Sequence, residues 1–140
     1  MVRAVLGFVI GAVVWIPVFF FVASGLAFWS ADYAQHARSW MDAGVFEFTA
    51  PQAAANVLFW MAADVIAGWL TGVVARRREA VWALAAVVLV YLASLHIVLY
   101  WPRFPWWYNL GVVIPSAPAV LLGGRLAGRF MRRAPAAAAG

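Results

Sequence analysis

Four long apolar segments constrain the fold of this chain more than any other feature of its sequence. They cover about residues 4–29, 53–75, 80–101 and 107–129, and hydrophobic residues make up 67% of the chain against 11% charged residues. Each segment is close to the roughly 20 residues that an α-helix needs to cross a hydrocarbon core about 30 Å thick. A water-soluble domain of 140 residues could not cover so much apolar surface with so few polar groups. The sequence therefore predicts an all-α, polytopic membrane protein: one four-helix bundle domain, residues 1–133.

The connection between the first two spans has the signals of a short helix. Ser30 is a favourable N-cap residue, and Gly44 is a favourable residue for ending a helix at about Ala43. Tyr33 and Trp40 would lie on one face of that helix, which predicts a short amphipathic external helix at the membrane interface. At the other end of the chain, residues 134–140 are of low complexity and predict a disordered tail.

The arginines predict how the chain is oriented in the membrane. All ten basic residues are Arg: eight lie at the chain start, after the second span and after the fourth, and two lie in the other connections. The positive-inside rule then predicts a bacterial-type inner membrane location with both termini in the cytoplasm. We expect six of them to contact anionic lipid head groups, namely Arg76, Arg77, Arg78, Arg129, Arg132 and Arg133. Arg125 lies one turn deeper, where it could also reach a carboxylate on a partner.

This placement of the basic residues at helix ends argues against nucleic-acid binding, which calls for a basic solvated face. The partners that the sequence predicts are the lipid bilayer and either other membrane subunits or further copies of the chain.

Three pairs of glycines, each spaced by four residues, predict close helix packing. The pairs are Gly7 and Gly11, Gly68 and Gly72, and Gly124 and Gly128. They could pack within the chain or against a partner subunit, and the sequence does not separate these alternatives. A phosphate-binding loop is not supported because no lysine follows the glycines. The stretches 67–77 and 123–133 share five of eleven positions, which indicates either an internal duplication of two parallel hairpins or convergence.

Asp64 is the residue that most strongly indicates a function, because it lies midway along the second span. An unpaired ionised carboxylate at that depth costs about 2.5–3.5 kcal/mol even on insertion scales. We therefore expect it to face the bundle or a partner. Tyr91 and Ser116 lie at comparable depth in the third and fourth spans, and we predict a hydrogen bond from one of them to Asp64. The functional alternative is a proton or ion site formed by these three residues.

His96, near the outer end of the third span, is the only candidate cofactor ligand. Residues 92–107, LASLHIVLYWPRFPWW, resemble the membrane-exit segment of the β chains of purple-bacterial light-harvesting antennae. There a pigment-ligating His precedes an aromatic, Arg, Pro and Trp cluster at the outer surface. The resemblance implies that His96 is an axial ligand to a pigment or a haem. The Arg-Pro spacing departs from the antenna pattern, and three spans have no counterpart in it. The alternative is a histidine that is simply hydrogen-bonded.

The sequence contains no catalytic triad, paired acid or metal-ligand cluster, and it has no cysteine, so it predicts neither an enzyme nor a metal site. We expect a non-catalytic accessory or assembly subunit of a larger membrane complex. The alternatives are a small transporter or proton-coupled carrier using Asp64, and a pigment- or haem-binding subunit using His96. Apart from that last case, no cofactor is expected.

Overall fold

A computed structural model describes the backbone of residues 1–137, and within it all side chains except those of Leu26, Trp29 and residues 133–137. Five α-helices follow one another: α1 (Val2–Trp29), α2 (Ala31–Ala43), α3 (Ala50–Ala75), α4 (Arg78–Ala93) and α5 (Trp106–Ala137). α4 continues as a π-helical turn over Ser94–Leu99. α1, α3, α5 and the combined segment of α4 and the π-helical turn are each long and apolar enough to cross a membrane, and residues 1–137 contain no strand. The predicted all-α four-helix membrane bundle is therefore confirmed.

The short helix α2 begins and ends where the sequence predicts, because both capping residues take the expected roles. The Ser30 hydroxyl accepts a hydrogen bond from the Tyr33 N–H at 3.3 Å. Gly44 adopts a left-handed conformation with φ of 64°, and its N–H donates to the Trp40 carbonyl. Tyr33 is buried in the hydrophobic core, and Trp40 packs against that core. α2 is thus held onto the bundle through one face.

The ends of α3 and α4 have two unusual backbone features. α3 ends at Ala75, and the following residue, Arg76, has a φ of 52°, a conformation that non-glycine residues adopt only at a cost. Arg78 then begins α4, so the turn between α3 and α4 is tight. At its other end, α4 widens into the π-helical turn that contains His96, where the Tyr100 N–H donates to the Leu95 carbonyl at 2.8 Å.

The helices continue through all the prolines of the spans. Pro17 lies within α1, and Pro115 and Pro118 lie within α5. α5 also extends beyond the predicted end of the span near residue 129 and, at 134–137, into the segment for which the sequence predicts a disordered tail. Residues 138–140 of that predicted tail lie outside the described residues.

α3 is the central helix, since it packs most extensively against α5 and next against α1. By the predicted alternation of spans, α3 and α5 run parallel. The starts of α1 and α4 lie near the ends of α3 and α5, and we call this side of the bundle the arginine-rich end. The opposite side, around residues 100–108, is rich in aromatic residues. The bundle interior contains the polar side chains of Asn56, Asp64, Thr71, His96, Asn109 and Ser116, all buried.

Most of the glycines singled out in the sequence lie against neighbours in the same chain. A Cβ at Gly7 would lie 2.6 Å from the backbone N of Ala75, and one at Gly11 would lie 3.0 Å from the carbonyl O of Ala67. A Cβ at Gly68 would collide with the backbone of Val120, one at Gly72 would lie 2.8 Å from the Ala127 Cβ, and one at Gly124 would lie 2.6 Å from Val81 Cγ1. Gly128 differs, because its only neighbour is the guanidinium of Arg132 at 3.8 Å.

Candidate functional site

Asp64 lies at the centre of the bundle, where α3 turns it towards α1. Its Oδ1 accepts a hydrogen bond from the indole N–H of Trp15 at 2.6 Å. Asp64 is 0% exposed and Trp15 is 5% exposed. The carboxyl group therefore faces the interior of its own bundle, and a partner subunit could not reach it in this arrangement.

The second carboxyl oxygen of Asp64 has no hydrogen-bond partner. Among the buried side-chain atoms of the described residues, only Asp64 Oδ2 and Thr71 Oγ1 lack one. Thr71 lies two helical turns further along α3, about 10 Å along the axis at 1.5 Å per residue. Buried polar atoms are nearly always satisfied, so an exception calls for an explanation such as a redox, catalytic or ion-handling role, or a bound water.

The hydrogen bond that we predicted from Tyr91 or Ser116 to Asp64 is wrong. The Ser116 hydroxyl donates to the carbonyl of Val113 in its own helix at 2.8 Å. Tyr91 is 42% exposed, and its ring packs edge-on against the Trp15 indole at 5.5 Å. Counting residues from the boundary gave the correct depth, but it could not give the direction in which each side chain points around its helix.

Trp15 is the site residue that the sequence analysis missed. A signal for it was present, since its indole N–H is a hydrogen-bond donor in the middle of a span and buried indoles usually find an acceptor. Trp60, one turn before Asp64 on α3, adds a second indole with its centroid 5.6 Å from that of Trp15. Phe19 stacks on Trp60 at 3.8 Å. These rings form an apolar cover on the aromatic side of the carboxyl group.

A second polar contact fastens α2 to α3 nearer the aromatic end. The Tyr33 hydroxyl donates to Asn56 Oδ1, and both side chains are buried. Burial raises the pKa of Tyr33 to about 12, although the bond to Asn56 partly opposes the shift. Nearby, His36 Nδ1 lies 2.8 Å from Gln52 Oε1, the same oxygen that accepts from the Thr49 N–H at the start of α3.

His96 forms a separate polar cluster with Asn109. Its Nδ1 lies 3.0 Å from Asn109 Oδ1, and the Asn109 Nδ2 donates to the Phe104 carbonyl at 3.2 Å. This orientation of the amide makes His96 Nδ1 the donor, because the Oδ1 can only accept.

The His96 ring is 3% exposed. It packs among Tyr100, Phe104 and Tyr108, with centroids 5.6 to 6.4 Å away. A pigment or haem could reach the ring only if these aromatic residues moved apart. The antenna resemblance implies that His96 is an axial ligand to a pigment or a haem, and that role stays a prediction.

The arginines of the predicted head-group set lie at the arginine-rich end of the bundle. The side chains of Arg76, Arg77, Arg78, Arg129 and Arg132 are exposed there, whereas the side chain of Arg133 lies outside those that the structure describes. Within residues 1–137, no three His, Asp or Glu side chains come together as metal ligands.

Comparison with known protein families, with curated proteins and with solved structures gives no match to this chain. Among the chain's own residues, the carboxyl group of Asp64 is chemically the most distinctive, because it is an acid buried at mid-span.

Proposed function

We propose that this chain is a small membrane protein that binds and releases a proton at Asp64, as a proton-coupled carrier or part of one. The observation that carries the proposal is the carboxyl group at mid-span, fully buried, with Oδ1 bonded to Trp15 and Oδ2 without a partner. Ionisable residues within membrane spans are expensive and are by default candidates for function.

A proton fits this carboxyl group better than a metal cation does. Alkaline-earth cations take six or more oxygen ligands, or keep several waters. The Asp64 carboxyl group has one hydrogen-bond partner among the described residues, the indole of Trp15. The other four acidic residues of the chain lie in α2, in the loop after it and at the start of α4, so none supplies a second carboxylate at mid-span. A proton needs only the free oxygen, and its binding removes the cost of a buried negative charge.

Thr71 suggests the direction in which the proton would leave. Its unpaired hydroxyl lies on α3 between Asp64 and the arginine-rich end. The hydroxyl faces α1, since a Cβ at Gly11 would collide with the Thr71 Oγ1. A hydroxyl can both donate and accept, so Thr71 could relay a proton together with water that enters when the helices move.

The test is proton flux into vesicles reconstituted with the purified chain under an imposed membrane potential. We expect flux with the wild-type chain and its loss with Asp64→Asn. The asparagine keeps an oxygen that can accept from Trp15, but its amide does not bind a proton near neutral pH. Glu79→Gln is the matched control, because it removes an exposed carboxylate from the start of α4 and should leave the flux unchanged. Equal flux through Asp64→Asn and wild type would remove Asp64 from the mechanism.

The accessory-subunit hypothesis is a second candidate, and the position of α1 favours it. Only 22% of the α1 span is buried, against 33% to 39% of the other three. Its outward face carries Val5, Val9 and Val13, all exposed, and lipid or a partner helix could cover that face. The glycine pairs now support this hypothesis less, because most of them lie against neighbours in the chain. Native mass spectrometry after mild extraction tests it: a heteromeric complex supports it, and a chain found alone opposes it.

For either function we propose a bacterial-type inner membrane location with both chain termini in the cytoplasm. The support is the distribution of the ten arginines under the positive-inside rule.

A further inference from the structure

A groove of about 660 Å³ opens at the arginine-rich end, between the α3–α4 turn and the last turns of α5. The walls that lie further from the arginine-rich end are apolar and include Val81, Trp82 and Leu121. Three glycines of α3 and α5 also line it, namely Gly72, Gly124 and Gly128. The groove is open at Gly128, since a Cβ there would meet only Arg132, whereas Gly72 and Gly124 are packed against neighbouring helices. The groove therefore joins an apolar interior to a charged rim.

Two sets of three arginines form the rim. One set, Arg76, Arg77 and Arg78, follows α3, and the other, Arg125, Arg129 and Arg132, lies on α5. The spacing of the second set by four and three residues puts it on one face of the helix. Within the part of the chain that the structure describes, none of these six guanidinium groups has an ion-pair partner. Six like charges around one groove repel one another and favour an anion between them.

The backbone at Arg76 is a further sign that the charges serve a ligand. Arg76 is the only non-glycine residue with a positive φ among those described, and it occupies the position that follows a helix, where glycine is usual. The chain thus has a guanidinium on the rim of the groove at a site where glycine would be less strained. Such strain is often found at functional sites.

We propose that this groove binds the phosphate of an anionic phospholipid, with the acyl chains leaving along Trp82 and Leu121. Guanidinium groups bind phosphate oxygens bidentately, and basic pockets between helix ends are suited to lipid phosphates. The apolar walls favour a lipid over a free phosphate, because acyl chains would cover them whereas a free anion would leave them exposed to water. Arg125, one turn deeper than a simple anchor requires, is the residue that separates a defined groove from a general attraction to the membrane surface. This proposal is independent of the one made for Asp64.

The test is titration of the full chain in mild detergent with phosphatidylglycerol, the bound lipid being counted by native mass spectrometry. We expect Arg125→Gln to weaken binding about five-fold, which corresponds to about 1 kcal/mol for one arginine. The double change Arg125→Gln with Arg129→Gln should weaken it about twenty-five-fold. Arg3→Gln is the matched control, because it removes one charge from the same end but outside the groove, and it should leave binding within two-fold of wild type.

Three results would overturn the proposal. Equal weakening by Arg3→Gln and Arg125→Gln would indicate diffuse surface attraction. Equal affinity for phosphatidylcholine would indicate that the anionic charge is not recognised. Displacement of the lipid by millimolar glycerol phosphate as effectively as by phosphatidylglycerol would indicate a site for free phosphates.

Arg76→Gly gives a second test, because its effects on stability and on lipid binding should be opposite. Because glycine suits a positive φ, this change should raise the unfolding temperature of the lipid-free chain while it weakens lipid binding about five-fold. A rise in stability without any loss of binding would exclude Arg76 from the groove's function.

Discussion

At the scale of single residues, the hydrogen bond between Trp15 and Asp64 connects α1 to α3 between two buried side chains. Oδ1 has this one strong donor, while Oδ2 has none. A buried polar atom that is left unsatisfied costs about 1–3 kcal/mol, so Oδ2 is the atom of this group for which a partner would matter most. Oδ2 is therefore the atom at which the proton of the proposed function would bind.

We expect Trp15→Phe to lower the free energy of unfolding by about 1–2 kcal/mol, because Asp64 then loses its only side-chain donor. The measurement is unfolding in mixed detergent micelles. The same change made in an Asp64→Leu background should cost measurably less, since no carboxyl oxygen remains there to be left unpaired. Identical costs in the two backgrounds would show that Trp15 contributes through packing alone.

At the scale of elements, α3 and α5 approach so closely that their backbones touch. A Cβ at Gly68 would lie 2.8 Å from the carbonyl carbon of Val120, and one at Gly123 would lie 2.7 Å from the backbone N of Trp69. Gly124, the next residue, instead faces Val81 of α4. Two adjacent glycines therefore serve two different helix contacts, which the spacing of four residues did not predict for Gly123.

Gly68→Ala should lower the free energy of unfolding by about 1–3 kcal/mol, because the added methyl group meets backbone that cannot move aside without separating α3 from α5. Gly128→Ala is the matched control, since the nearest atom to its Cβ would be 3.8 Å away. That control should be neutral or stabilising by up to about 1 kcal/mol, through helix propensity. Thermal unfolding in detergent checks both variants, and equal effects would contradict the close contact.

At the scale of the whole molecule, the bundle has two chemically different ends and one buried acid between them. Aromatic side chains such as Tyr100, Phe104 and Tyr108 are packed around His96 at one end. The unpaired guanidinium groups line the groove at the other. The central helix α3 connects them, with Asn56, Asp64 and Thr71 buried along its length. Three of the six buried polar side chains of the described residues thus lie on α3.

The orientation of the bundle in the membrane is testable because the natural chain has no cysteine. Asp42→Cys in α2 and Glu79→Cys at the start of α4 each replace an exposed carboxylate. A maleimide that cannot cross membranes should label Asp42→Cys in intact cells and Glu79→Cys only in inverted vesicles. The opposite pattern would reverse the proposed sidedness.

The sequence by itself determined the class of the protein, its four spans and the two ends of α2. These are local properties: an apolar segment of sufficient length forms a helix in lipid whatever surrounds it, and Ser30 and Gly44 act on the backbone next to them. The depth of Asp64 and of His96 is likewise a matter of counting along one helix. The position of Arg125, one turn deeper in the span than the other arginines of α5, could also be read in this way.

Only the tertiary structure decided which of these residues meet. The partner of Asp64 is Trp15 rather than Tyr91 or Ser116, because the rotation of each helix about its axis depends on how all the helices pack, and no single segment contains that information. The same holds for the pairing of His96 with Asn109. It also holds for the two sets of arginines, which come from segments about fifty residues apart and form one groove only because α3 and α5 lie in contact.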